Sequence, residues 1–147
     1  MKKNFDTAPA LVSRITSRVR FSELDPMQIV WHGNYVRYFE DGRQHFGEEY
    51  SGLGYMDMYS NGYTAPLVEL NVEYLKPLGY HDSVIIETRY IRCDAAKIIF
   101  EYCLYREADN SLVCRGRTVQ AFVDLNGALQ LNNPEFYLEW KRKWNIE

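Results

Sequence analysis

The sequence predicts an α+β fold: one long helix wrapped by a curved, mainly antiparallel sheet of five strands, followed by a short C-terminal helix. Three observations carry that reading. Apolar and polar residues alternate from Arg14 to Phe21. They then fall three or four apart from Tyr35 to Tyr50. After residue 67, four more strand-like runs follow, separated only by short turns. Connections this short join neighbouring strands antiparallel. One helix cannot cover both faces of five strands, so the economical arrangement curves the sheet around it and leaves an edge or a face for a partner subunit.

Each element has its own reason. In the first run Ile15, Val19 and Phe21 share one face, and Arg14, Thr16, Arg18 and Arg20 the other, as in a half-buried strand. Tyr35, Phe39, Gly42, Phe46 and Tyr50 make one apolar helix stripe, roughly 24 Å long at 1.5 Å per residue. Asn34 stands where an N-cap belongs. Gly42 costs a helix about 1 kcal/mol relative to alanine, which predicts close approach to a neighbour. The Tyr- and Met-rich segment from Ser51 to Tyr63 is expected as a loop packed over the helix end, where it could also line a pocket. Val68, Leu70, Val72 and Tyr74 then alternate with Glu69, Asn71 and Glu73, and strands are expected at 83–92, 97–106 and 112–124. Asn126-Gly127 between Leu125 and Leu129 marks a tight hairpin. Asn133-Pro134 opens the last helix, with Phe136, Trp140 and Trp144 as its stripe.

Composition narrows the setting. A chain of 147 residues fits one domain, 1–147, with room for a real core. Its 46% hydrophobic and 25% charged residues are those of a soluble globular protein. A net charge of −3 supplies no field to recruit nucleic acid, and Lys141-Arg142-Lys143 is expected as a solvated helix face. MKKNFDTAPALVS has no apolar run of signal-peptide length, and no stretch approaches the ~18 apolar residues of a membrane span. Cys93, Cys103 and Cys114 are odd in number and widely spaced, which suits reduced, buried thiols. A cytoplasmic setting is expected.

Most catalytic signatures are missing. There is no GxSxG elbow and no GxxxxGK phosphate loop, and Gly52-Leu53-Gly54 lacks both a third glycine and a leading strand. His32, His45 and His81 form no CxxC, HxH or HExxH spacing with the cysteines or each other, so no metal site is expected, and His45 and His81 read as surface residues. The stretch LDPMQIVWHGNYVR, residues 24–37, remains. Alone, Asp25-Pro26 is a turn or a helix start, and His32 alone is a hydrogen-bonded structural residue. Together they put a carboxylate and an imidazole at the start of a long helix, whose first free N–H groups attract negative charge. That is equipment for attack on an already reactive carbonyl: a base or nucleophile, and an electropositive pocket for the oxyanion.

VRFSELDPMQIVWHGNYVRYFEDGR resembles the signature of hotdog-fold acyl-CoA thioesterases of the 4-hydroxybenzoyl-CoA thioesterase type and of the Tol-Pal-associated type. The matching residues are Phe21, Asp25-Pro26, Ile29-Val30, Trp31-His32, Asn34-Tyr35 and Phe39-Glu40-x-x-Arg43, and VEYLKPLGYHDSV resembles the family's strand that ends in a basic residue and proline. The resemblance implies a hotdog fold and hydrolysis of an acyl- or aroyl-CoA thioester, with CoA as part of the substrate and no separate cofactor. It implies that Asp25 attacks the thioester carbonyl or activates water, that the backbone N–H of His32 polarises that carbonyl, and that the His32 side chain stands beside it. Trp31, Asn34, Tyr35 and Lys76 fall at substrate-binding positions, Lys76 toward the carrier's phosphates. The family's site forms between subunits, so a homodimer or homotetramer is implied. Met27-Gln28 departs from the small residue or glycine usual there; a loop that needs positive φ at that point would be strained by Gln28. A non-catalytic acyl-CoA-binding protein and a hydroxyacyl dehydratase are the alternatives, the latter lacking its histidine-centred motif here.

Overall fold

The structure, a computed structural model, describes residues 9–147; residues 1–8, part of the stretch read above for a leader, lie outside it. Strand β1 (Leu11–Arg18) precedes helix α1 (Asn34–Glu49), a short helix α2 (Tyr55–Ser60), β2 (Tyr63–Thr64), β3 (Leu67–Tyr74), β4 (Ser83–Ile91), β5 (Lys97–Arg106), β6 (Ser111–Ala121), β7 (Val123–Asp124) and α3 (Glu135–Lys143). Five strands form one antiparallel sheet in the order β1-β4-β5-β6-β3. The α+β reading, with one long helix against five antiparallel strands and a short helix at the end, holds.

The helix stripe explains the packing. Phe39 stacks on Tyr102 at 4.6 Å between ring centroids, and its ring occupies the space over Gly116, where a Cβ would lie 2.3 Å from it. A Cβ on Gly42 would sit 2.4 Å from Thr88 Oγ1 and 2.7 Å from Ile86 Cγ2, so the expected close approach is to β4. Phe46 meets Phe100 edge-on at 4.9 Å and lies near Tyr90 and Trp140. Each such buried ring contributes about 1.5–3 kcal/mol relative to exposure.

Several expectations are corrected. The first strand ends at Arg18, and Phe21–Glu23 form a 3₁₀ turn that leaves Phe21 76% exposed instead of facing inward with Val19. Glu23 causes this: its Oε1 accepts the Arg20 N–H at 2.7 Å and the Tyr38 hydroxyl at 3.0 Å, folding the chain back before the alternation is complete. Gly33, not Asn34, occupies the cap position of α1. The last strand breaks at Phe122, which leaves the ladder to pack against Phe136 and Tyr137. Within 51–63 a helix, α2, forms where a loop is expected, buried through Leu53 and Met58. Lys141 is not solvated: it is 5% exposed and donates to the Cys93 carbonyl at 2.8 Å. Cys103 and Cys114 are free and buried, whereas Cys93 is half-buried in the β4–β5 turn. The Asn126-Gly127 hairpin forms as expected, with the Gly127 N–H on the Asp124 carbonyl and Gly127 at φ 86°.

The sheet face away from α1 is finished in ion pairs. Glu87 bonds Arg14 and Arg89, Arg117 reaches Glu101 at 3.5 Å, and Arg115 reaches Glu73 at 2.6 Å. Glu87 and Glu101 are 3% and 1% exposed beneath these arginines. Edge strand β3 differs, leaving Leu67, Val68 and Leu70 exposed.

Candidate active site

Residues 24–30 fold into a tight hairpin. Leu24 bridges Val30, the Asp25 N–H donates to the Ile29 carbonyl at 2.8 Å, and the Gln28 N–H donates to the Asp25 carbonyl at 2.9 Å. Pro26 presets the turn. Asp25 Oδ1 accepts the Met27 N–H at 2.8 Å, and Oδ2 accepts no hydrogen bond among the described residues. Closing this hairpin puts Gln28 at φ 63°, the left-handed conformation that a glycine would adopt freely and that costs another residue about 1–2 kcal/mol. Ile29 and Val30 dock the hairpin on the segment after β3: Ile29 bridges Gly79, and Val30, 2% exposed, donates its N–H to the Leu78 carbonyl at 2.8 Å. This docking is why the connector is apolar in its middle.

The next residues lead into α1 without capping it. The Trp31 N–H and Asn34 Nδ2 both donate to the Glu23 carbonyl, each at 2.9 Å. Asn34 is thereby turned away from a capping role. Gly33 makes room for the Trp31 ring, which a Cβ there would meet at 2.3 Å. With glycine at the cap, no side chain takes up the first amides, and the His32 N–H has no acceptor among the described residues. These uncapped donors carry the positive end of the helix dipole.

A cleft of about 360 Å³ opens at this point, lined by Asp25, Ile29, His32, Tyr35, Tyr74 and Lys76, with Met27, Val30, Leu75 and Pro77 completing it. Four of the six residues expected at the site therefore line one space. The other two do not: Trp31 is 49% exposed and lies beside the His32 ring at 5.0 Å, and Asn34 is buried in its bond to Glu23. Tyr74 is the residue the sequence did not single out. Its hydroxyl donates to the His32 carbonyl at 2.8 Å, and its ring stands edge-on to Tyr35 at 5.2 Å and to His32 at 6.4 Å. Burial pushes the Tyr35 hydroxyl up to about 12 and raises that of Tyr74, so both remain protonated donors near neutrality. A larger hollow of about 440 Å³ lies between α1 and α2, lined by Glu40, Arg43, Gly47, Tyr55 and Met56 among others; it contains none of the six residues and no histidine. In the smaller cleft a carboxylate, an imidazole and a lysine line one space beside the uncapped start of α1.

A long helix against a five-stranded antiparallel sheet, with a short helix at the end, is the hotdog architecture. Residues 19–141 match the model of the thioesterase-like superfamily, so the chain belongs to that superfamily and to its hydrolases of thioesters. The Bacillus subtilis protein provisionally named acyl-CoA thioesterase YneP is 34% identical over 97 residues, covering 66% of this chain and 70% of the relative. Among solved structures, the DHNA-CoA thioesterase of Staphylococcus aureus is 25% identical with a TM-score of 0.80, covering 91% of each chain. The 4-hydroxybenzoyl-CoA thioesterase of Pseudomonas sp. strain CBS-3 shares the fold at a TM-score of 0.74 and 21% identity, covering 90% of this chain and 99% of that one.

Proposed function

We propose that the chain hydrolyses an acyl- or aroyl-CoA thioester to the free acid and CoA, with Asp25 as nucleophile or general base. The observation that carries this reading is the shared cleft, in which Asp25 keeps one carboxylate oxygen free within the space that His32 and the uncapped start of α1 also border. The His32 amide and the helix dipole stabilise negative charge developing on the carbonyl oxygen, while the His32 ring orients substrate or water. Tyr35 walls the acyl side, and Lys76, at the rim, meets the phosphates of the carrier. A CoA carrier is supported by the relatives named for CoA esters at 34% and 25% identity. Among the described residues no helix is long and apolar enough to cross a membrane. The protein works as a homo-oligomer joined along the exposed edge of β3, and a light-scattering mass near 17.4 kDa at micromolar concentration would refute that.

One observation favours a second reading. The bond from the Met27 N–H to Asp25 Oδ1 is what a plain turn residue makes, and an acyl-CoA-binding protein needs nothing more of Asp25. Asp25→Asn separates the two, because asparagine keeps that bond and removes the charge. Loss of a nucleophile or general base lowers turnover of acyl-CoA by at least ~10²–10⁴ while binding and folding persist. Near wild-type hydrolysis by purified Asp25→Asn would sink the mechanism.

A further inference from the structure

Tyr74 is a cleft residue whose side chain hydrogen-bonds the backbone of the loop before α1. It ends β3, an edge strand of the sheet, and stands 42 positions from the carbonyl to which it donates. That carbonyl belongs to His32, whose own N–H is without an acceptor among the described residues and whose ring lines the cleft. Resting on the thioesterase reading above, we infer that Tyr74 is a positioning residue: its hydroxyl fixes the backbone of His32, so that the amide, and the Gly33 amide that follows, face the thioester carbonyl with their donors aligned.

Three features support this. The bond has ordinary length for a hydroxyl donor, 2.8 Å, yet the tyrosine is 50% exposed, so it adds little to a core. His32 lies outside α1, in the turn that precedes Asn34, and no helical hydrogen bond sets its carbonyl direction. The His32 carbonyl and the Gly33 N–H are also two ends of one peptide group. A hydrogen bond accepted at the oxygen polarises that group and makes its N–H a stronger donor. Aligned donors act most strongly when charge appears on the substrate oxygen, so the effect belongs to the transition state more than to the bound substrate. The ring itself, edge-on to Tyr35 and His32, is a separate contribution that phenylalanine retains.

Tyr74→Phe in the full-length protein tests the inference. The expected result is a fall in kcat of about ten-fold, the order of one neutral hydrogen bond, with KM for acyl-CoA within about two-fold and the melting temperature unchanged. In ¹⁵N–¹H spectra the Gly33 amide should shift on losing the bond to its peptide oxygen, and the Asp25 amide should not. A kcat equal to wild type, or a loss confined to KM, would overturn the positioning role. The spectroscopic arm needs no turnover: if wild type hydrolyses no thioester while Gly33 shifts, the functional reading fails and the hydrogen bond stands. If wild type is active and Gly33 does not move, this inference alone fails.

Discussion

The two ends of α1 are built on opposite plans. At the C-terminal end Trp140 Nε1 donates to the Tyr50 carbonyl at 2.8 Å, Trp144 Nε1 to the Ser51 carbonyl at 3.1 Å, and Lys143 Nζ to Ser51 Oγ at 2.9 Å. Phe46 and Leu53 are fully buried there, so the carbonyls leaving the helix are met by indole donors in an aromatic core. At the N-terminal end glycine holds the cap, no side chain satisfies the first amides, and a cleft opens over them. A buried helix end needs its polar groups matched. An unmatched end is stable only where water or a ligand completes it. The contrast separates the end that stabilises the molecule from the end that is free to do chemistry.

Substitutions at the two ends should therefore divide cleanly. Trp140→Ala removes a ring that is 2% exposed together with the donor to Tyr50. It should cost about 3–5 kcal/mol in urea melts, the range for a large buried aromatic, with KM of the remaining folded protein little changed. Alkali should loosen both ends, because Tyr90 packs against Trp140 and Tyr35 lines the cleft. Burial raises Tyr90 to about 12 and Tyr35 to about 12, so the unfolded chain, ionising near 10, releases protons that the folded protein keeps. The stability held by these protonated hydroxyls is complete below pH 10 and lost as pH rises through 12. Urea midpoints should fall across that window.

At the other end, His32→Ala should lower kcat by roughly ten-fold, because an orienting group is lost while the backbone amide survives. That loss should be smaller than the loss from Asp25→Asn; equal losses would mean that the ring performs the chemistry. Gln28→Gly relieves the left-handed backbone at φ 63° and should raise stability by about 1 kcal/mol; a loss of stability would show that the hairpin does not strain Gln28. Lys76→Ala should raise KM by roughly two- to five-fold with kcat unchanged, the measure of an exposed charge felt alike in ground and transition states. An unchanged KM removes Lys76 from the site.

The fold was legible because its periods are clean. Three of the five main strands, β3, β4 and β5, and α1 fall within a residue or two of their expected limits, and the expected close approach at Gly42 is to β4. The errors come where a side chain overrides the period. Glu23 folds the chain at Phe21, Glu23 again diverts Asn34 from the cap, and Phe122 abandons the ladder for the aromatic core. Helix α2 has only six residues, too few for a periodic signal, and is held by Leu53 and Met58 from either side of its start. At the site, Asp25 and His32 stood out as a carboxylate and an imidazole before a helix start, and Lys76 through a resemblance. Tyr74 was hidden because alternation alone accounts for a tyrosine at the end of a strand. Its tie to His32 exists only once β3 and the start of α1 are folded together.

Because that hydroxyl belongs to an edge strand, the sheet margin and the cleft share a mechanical element. A second chain adding itself to β3 would stiffen Tyr74 and, through it, the peptide that follows His32. Linkage then runs both ways: whatever factor edge pairing adds to the affinity of the cleft for its ligand, an occupied cleft returns to the pairing. The dissociation constant of the assembly, measured with and without a bound acyl-CoA analogue, would report on that shared element from 42 residues away along the chain.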